Sequence, residues 1–435
     1  CLHYTYCLAV SDKTLERGRI DEVLELIGLA EHADKLVQSL SGGQLRRLGL
    51  GQELMLDPPV LVCDEVTSGL DPSSEDVILK LLRQVCDKTG KTVICIIHNL
   101  GKLPLFDSVT FVYGGHVLFQ GAPDELCAHF GVNSAFDLYG ACEQKPLEHW
   151  LEKRPAMSEA PQDCPQIPPA KIPAFFEQLT TLLQRRIKLF FRDTGTLILT
   201  LLMAVGFPLV VILFAWDGLP QIQQIALSDN NSARMEMMQQ TVRYAQEAAS
   251  LSLLVTGLIL FQIVLLGLMA SNNGSREIAA ERALYEKERL IGVRPSVYAF
   301  SKFAFVGLLS LGQALLMTLI VKYVCQFPGS VLWQFLLMWL STFSMSLVCL
   351  GFSAVSASSE RSSLLSIYLV GFQLPLCGVI LALPKALEWV FRPFINAYWT
   401  WGGTFATMKE TTLYDAFRFS DNSWIPSPAL ALGVL

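Results

Sequence analysis

Residues 40–71 read LSGGQLRRLGLGQELMLDPPVLVCDEVTSGLD. Ser41 is a residue type that caps helices, and Gly42 and Gly43 leave the backbone open to close approach. The segment therefore predicts a helix whose first N–H groups face an anion. Val60–Cys63 predicts a short buried strand, ended by the adjacent acids Asp64 and Glu65. Two carboxylates at a strand end suit a divalent cation held through water and a base that activates water. Ser68 and Gly69 supply a turn before Asp71. Farther on, Thr92–Ile97 (TVICII) is almost wholly apolar, as a central parallel strand should be, and an isolated His98 follows it directly. Taken singly, each piece is ordinary: a helix start, a turn-forming acid pair, a hydrogen-bonding His.

Around this stretch the chain alternates helix and strand. Arg19–Ile27 has helical periodicity, and Ser74–Cys86 places apolar residues 77, 78, 81, 82 and 85 on one face. Thr110–Val112 and His116–Phe119 flank Gly114-Gly115 as a hairpin would. Residues 1–130 thus predict an α/β unit with a parallel sheet. Residues 131–173, with seven prolines between 145 and 173, predict a linker. Residues 174–193 are basic and amphipathic, the composition of an interfacial connecting helix.

The composition is uneven. Of 435 residues only 17% are charged and 52% are hydrophobic, with 33 Lys+Arg against 39 Asp+Glu. Soluble domains are about a quarter charged, and the deficit falls in the second half. Disorder is excluded by the apolar content, and the net charge of -6 argues against nucleic acid as a partner. Five uncharged runs predict five crossings, at about residues 194–216, 250–271, 301–323, 330–353 and 362–384 of a domain spanning 194–435. Arg185, Arg186, Lys188 and Arg192 precede the first run. Arg276, Arg282, Lys287, Arg289, Arg294 and Lys302 lie between the second and third. Positive charge at these places puts both on the cytoplasmic side. Residues 385–435 then fall outside, ending in IPSPALALGVL, which reads as the opening of a further apolar helix. The segment around Glu281–Arg289 predicts a solvated helix laced by pairs four residues apart. The 11 cysteines stand singly, with no C-x-x-C and no spacing to His that indicates zinc or a redox centre.

In their order and spacing, LSGGQ, the LVCDE of 61–65, the SGLD of 68–71 and His98 resemble the second half of an ATP-binding cassette (ABC) nucleotide-binding domain, a P-loop NTPase. The membrane half resembles an all-α ABC-2 type transmembrane domain. With REIAAERALYEKERLIGVRPSVYAFSK at 276–302, the chain resembles the G subfamily of ABC transporters, the white/pigment and lipid-exporter type, especially its bacterial half-transporters. The resemblance implies ATP and Mg²⁺ as cofactors. It implies that Ser41, Gly42, Gly43 and Gln44 grip the γ-phosphate of ATP on the opposite subunit, and that Asp64 holds Mg²⁺ through water. Glu65 would polarise the attacking water, Asp71 would tie the two sites together, and His98 would hold Glu65 and the γ-phosphate.

The implied partners are a second half-transporter subunit, identical or not, the lipid bilayer, and a small or lipid-like cargo that is exported. The implied location is a bacterial inner (plasma) membrane, crossed several times, with the nucleotide-binding part in the cytoplasm. No G-x-x-x-x-G-K-[ST] occurs in the chain, so the resemblance further implies truncation before Cys1, and at the far end before a sixth span. Two other readings stand beside export. One is a non-catalytic partner that lends its LSGGQ to another subunit's ATP; the other is an ABC ATPase fused to a membrane anchor.

Overall fold

The first unit opens on three helices, α1 (Leu2–Ala9), α2 (Glu16–Leu26) and α3 (Gly42–Leu54), and then alternates strand and helix through β1 (Val60–Asp64), α4 (Pro72–Thr89) and β2 (Thr92–Ile96). The structure is a computed structural model that describes the chain apart from residues 12–13, 15, 70, 154–171, 217–242, 380–383, 412–413 and 416–424. It divides into Cys1–Ala174 and Phe175–Leu435. Strands β1 and β2 pair in parallel, from Val60 opposite Thr92 to Asp64 opposite Ile96. Leu61 and Cys63 are buried with Leu2, Tyr6, Val23, Ile27, Leu54, Ile78, Leu82 and Val85. This core lies against one face of the pair. The other carries Val62 and Ile94, 66% and 52% exposed, so these strands are covered on one face, not on both as their sequence predicts.

Helix α4 shows why its ends fall where they do. Pro72 occupies the first turn, where its missing N–H costs nothing, and Gly90 closes the helix at φ 66°. The hairpin follows as β3 (Val109–Tyr113) and β4 (His116–Gly121), joined by Gly114 and Gly115 at φ 57° and 80°. Only a turn with positive φ at both positions matches the strand twist, which is what the glycines allow.

Part of the expected linker is folded. After α5 (Pro123–Phe130), which ends before it, helices α6 (Leu138–Gln144) and α7 (Leu147–Lys153) fall within it and share the hairpin's core. Trp150 is buried among Phe130, Leu118, Leu138 and Cys142. Leu147, Trp150 and Leu151 sit three and four residues apart and form one helical face; the nearby prolines masked that pattern. Residues 154–171 of the expected linker lie outside the described residues.

The second unit begins with α8 (Phe175–Arg192), which runs into α9 (Thr194–Ala215). It continues through α10 (Arg243–Gly274), α11 (Arg282–Leu290), α12 (Pro295–Cys325), α13 (Val331–Val355) and α14 (Ser359–Cys377). Among the described residues four helices are long and apolar enough to cross a membrane: α9, α10, α12 and α13. Ile198, Leu202 and Leu213 of α9 are 63–70% exposed. Outward faces of this kind suit lipid and not water. The chain is a multi-pass integral membrane protein.

The fifth expected crossing differs. Its helix, α14, has 19 residues, opens on the polar Ser359–Ser363, contains Pro375, and stops at Gly378 in the left-handed region. Nor do residues 385–435 form only an outside loop. After α15 (Lys385–Phe391), α16 (Asn396–Ala406) buries Tyr398, Trp401 and Phe405. Asn396 donates to Ser341 O at 3.3 Å and Ser344 Oγ at 2.7 Å, and Gln373 Oε1 accepts from Ala397 N at 3.2 Å. The helix therefore starts beside mid-span residues of α13 and α14, where its free N–H groups need such partners. The final described helix, α17 (Pro428–Val434), is capped by Ser427.

Contacts between these helices are close and polar where the sequence showed only apolar runs. A Cβ on Gly274 would sit 2.5 Å from Ser346 O and 3.1 Å from Cys349 Cβ. Small residues let membrane helices approach in this way. Gly274→Ala should cost about 1–3 kcal/mol of overpacking, read as a lower unfolding midpoint in detergent; an unchanged midpoint would contradict this packing. Beside it, Asn273 and Gln313 exchange side-chain hydrogen bonds of 2.7 and 3.3 Å.

Helix α11 exposes most of its residues and buries Glu288, but what anchors it is a set of long-range ion pairs and not pairs four residues apart. Arg185 of α8 reaches Glu288 with its Nη1 and, at 3.0 Å, its Nη2, and Arg186 binds Glu277 at 2.5 and 2.6 Å. Lys302 of α12 lies 3.0 Å from Glu277 and 2.5 Å from Glu281. Glu277, Glu288 and Lys302 are buried. Gln178 donates to Gly292 O at 3.1 Å and joins the same contact. Thus α8 turns Gln178, Thr181 and Leu182 inward.

Candidate functional site

The start of α3 is fixed by a reciprocal cap. Ser41 Oγ accepts from Gln44 N–H at 3.3 Å, and Gln44 Oε1 accepts from Ser41 N–H at 3.0 Å. Gln44 is thereby committed to the helix start. The N–H groups of Gly42 and Gly43 have no carbonyl to bind inside the helix, and a Cβ at Gly42 would meet nothing within 4 Å. N–H groups left without a helical acceptor are of the kind that suit an anion. Ser41→Ala should cost about 1 kcal/mol, seen as a small fall in the urea midpoint; no change would mean the cap contributes nothing.

The second flank adjoins the first. A Cβ on Gly43 would lie 3.6 Å from Ser74 Oγ, and Arg46 donates to Ser68 O at 3.2 Å. Asp71 caps α4. Its Oδ1 accepts from Ser73 N at 3.1 Å, Ser74 N at 3.0 Å and Ser73 Oγ at 2.5 Å, and its Oδ2 accepts from Ser74 Oγ at 2.6 Å. The Ser73 hydroxyl first, then the Ser74 hydroxyl and backbone N–H, hold the Asp71 carboxyl well below the usual carboxylate range. All of these bonds are local to the helix start.

The third group lies at the strand ends. Asp64 closes β1 and is exposed. Glu65 follows in the left-handed region at φ 47°, a strained backbone for a residue with a Cβ, worth about 1 kcal/mol or more. That turn aims its carboxylate at the second residue past β2: His98 Nε2 donates to Glu65 Oε1 at 2.6 Å. The His98 segment is anchored from behind. Asn99 Nδ2 donates to Glu75 Oε2 at 2.9 Å, and Asn99 Oδ1 accepts from Gly101 N at 3.1 Å. Lys102 pairs with Asp76. The His98 and Glu65 side chains remain 74% and 49% exposed, so both face solvent and any bound ligand.

The structure therefore brings Glu65 and His98 together and leaves Asp64 beside them. It joins Ser41 to Gln44, and Asp71 to the start of α4. Among the described residues no hydrogen bond or ion pair links Ser41–Gln44 with Asp64, Glu65 or His98. Asn99, Glu75 and Arg46 were not singled out by the sequence. Only the isolated Asn after His98 could have drawn attention, since a small amide often secures a loop. In the second unit, a small cleft lined by Gln262, Thr318, Lys322, Gln334 and Thr404 also lay hidden within apolar runs.

These groups fit a nucleotide phosphate and its cation in part. The exposed Asp64 carboxylate is a hard oxygen donor of the kind Mg²⁺ takes through water. The Gly42 and Gly43 N–H groups suit phosphate oxygens. The 435 residues contain no lysine-bearing glycine loop for the remaining phosphates.

Comparison with known proteins gives the same division. A family model described as ABC-2 type transporter matches residues 177–399, just over half of the chain, and one described as ABC transporter matches residues 8–68. The ABC transporter ATP-binding/permease protein Rv1747 of Mycobacterium tuberculosis is 25% identical over 69% of this chain and 33% of its own length. Methionine import ATP-binding protein MetN 1 of Acinetobacter baylyi is 41% identical over 25% of this chain and 31% of its own. The chain spans about a third of the length of these curated relatives. A solved structure, cbiO1 from Clostridium perfringens, matches 32% of this chain and 54% of its own at 29% identity and a TM-score of 0.26.

Proposed function

The chain belongs to the ABC-2 type transporter family, and on that premise we propose that it couples ATP hydrolysis to export of an apolar or amphipathic molecule as one half of a dimer. The observation that carries this reading is the contact between His98 Nε2 and Glu65 Oε1 in a chain whose described residues include four helices long and apolar enough to cross a membrane. A carboxylate held by an imidazole and open to solvent is placed to accept a proton from water. Asp64 would hold Mg²⁺, and the Gly42–Gly43 cradle with Ser41 would receive a phosphate from the facing subunit. ATP supplies the phosphoanhydride bond whose cleavage the cycle spends. Within this chain, Glu65 Oε2 takes the water's proton while His98 fixes Oε1, and Asn99 keeps His98 in place through Glu75. Asp71, at the turn after Arg46 and Ser68, would transmit the state of one site to the other.

The half-transporter of the pigment and lipid-exporter type supports this substrate class. The spans expose apolar faces and bury few charges. The cargo would then be recognised by shape and apolar contact. Uptake of an amphipathic fluorescent dye into inside-out membrane vesicles tests the reading. Accumulation with ATP and none with a non-hydrolysable analogue is expected; equal accumulation with both, or none with either, would overturn export.

The second reading is a non-catalytic partner whose Ser41–Gln44 helix start, fixed by its own reciprocal cap, serves the other subunit's ATP. On that reading Ser41→Arg stops hydrolysis at the other subunit's ATP, whereas Glu65→Gln changes nothing.

A further inference from the structure

Away from the Glu65–His98 group, three further metal-ligating side chains converge. His3 and Cys7 stand one helical turn apart on α1, and Glu16 is the first residue of α2. One ligand atom from each lies within 4.8 Å of the others. Cys7 Sγ is 3.9 Å from His3 Nδ1 and 3.7 Å from Glu16 Oε2, while Glu16 Oε1 contacts His3 Nδ1. In a tetrahedral zinc site with ordinary bond lengths, the sulfur–nitrogen and sulfur–oxygen edges are roughly 3.6 Å. Two of the triangle's edges are near those lengths; the third, the direct His3–Glu16 contact, opens to admit the ion. Its ligands are one thiol, one imidazole and one carboxylate, a mixed set that suits Zn²⁺ more than a hard alkaline-earth ion.

We propose that His3, Cys7 and Glu16 bind one Zn²⁺ and so staple α1 to α2. Cys7 is buried and His3 is half exposed. The three protein ligands thus close one side, and the fourth position opens to water. Binding replaces the thiol proton of Cys7 with the metal and releases that proton to solvent, so uptake strengthens as pH rises. Leu2 and Tyr6 of α1 share a core with Val23 of α2, with Ile27 just past its end, and with Leu50 and Leu54 of α3. The staple therefore stiffens the support of the Ser41–Gln44 helix. The sequence alone did not indicate zinc, since it offered no C-x-x-C and no recognised Cys–His alternation. The His3–Cys7 pair has the one-turn spacing instead, and its third ligand comes from the next helix.

The test uses the full chain, purified in detergent and stripped of metal. Zn²⁺ alone is titrated against a chromogenic chelator, and Co²⁺ serves as a spectroscopic probe of the same site. One Zn²⁺ per chain and a sulfur-to-cobalt absorption band are expected. His3→Ala and Glu16→Gln should each weaken uptake ~10-fold or more, and Cys7→Ser should remove the band. His3 is half exposed, so its variant carries the test if Cys7→Ser fails to fold. No uptake by the wild type would show only a His3–Glu16 hydrogen bond and overturn the proposal. Uptake unchanged in both His3→Ala and Glu16→Gln would overturn it equally.

Discussion

Glu65→Gln should lower ATP turnover by about 100-fold or more, because it removes the group placed to accept water's proton, with KM for ATP nearly unchanged. The replacement is close in shape and keeps a hydrogen-bond acceptor for His98 Nε2, now 2.6 Å away. The loss would therefore belong to the charge and not to the fold. His98→Ala should fall in the same direction, since Glu65 then loses the partner that fixes Oε1. A weaker loss is expected for Asn99→Ala, which loosens His98 only through Glu75. Steady-state phosphate release from the protein in its native membrane measures all three. Turnover retained in Glu65→Gln but abolished in Ser41→Arg would move the account to the non-catalytic partner.

The second large effect is structural. Glu277 is 7% exposed and takes both Arg186 and Lys302. Removing its charge leaves two cations facing each other in a poorly hydrated place. Breaking a buried pair by deleting one partner costs about 3–5 kcal/mol, most of it the penalty on the charge left behind. Arg186 is 24% exposed and can recover some water, so Glu277→Gln should fall toward the lower end. Lys302 also binds Glu281, which will absorb part of the strain. The double variant Glu277→Gln with Lys302→Met should be more stable than Glu277→Gln alone, since no lysine charge remains to be paired. Unfolding midpoints in detergent measure this. Equal midpoints for wild type and Glu277→Gln would show that the network contributes no stability.

What the sequence made legible follows from range. Val60–Cys63 and Thr92–Ile97 announce strands because apolar β-branched runs are local, and the structure pairs them within a residue of those limits. Ser41 announces a helix cap for the same reason, whereas the cap that Asp71 makes on α4 came only with the structure. The first four crossings needed only length and composition. The Arg185–Glu288 pair was hidden, since its partners are 103 residues apart. Arg185 and Lys302 were visible only as positive charge near a membrane, not as members of a buried network. Helix α16 read as an outside loop because short helices that fold back among spans carry no length signal. The His98–Glu65 contact lay between. Both residues were singled out, but the turn that joins them required Glu65 to take a positive φ, which no side-chain pattern reports.

The central claim is that ATP hydrolysis at Glu65 and movement of cargo through the membrane half are one process. The most direct measurement follows both together, phosphate release and accumulation of an amphipathic dye, in proteoliposomes holding equal amounts of wild type or Glu65→Gln. The account predicts ATP-dependent accumulation with the wild type and the loss of both signals in the variant. Accumulation that persists in Glu65→Gln, or hydrolysis by the wild type with no cargo moved, would contradict it.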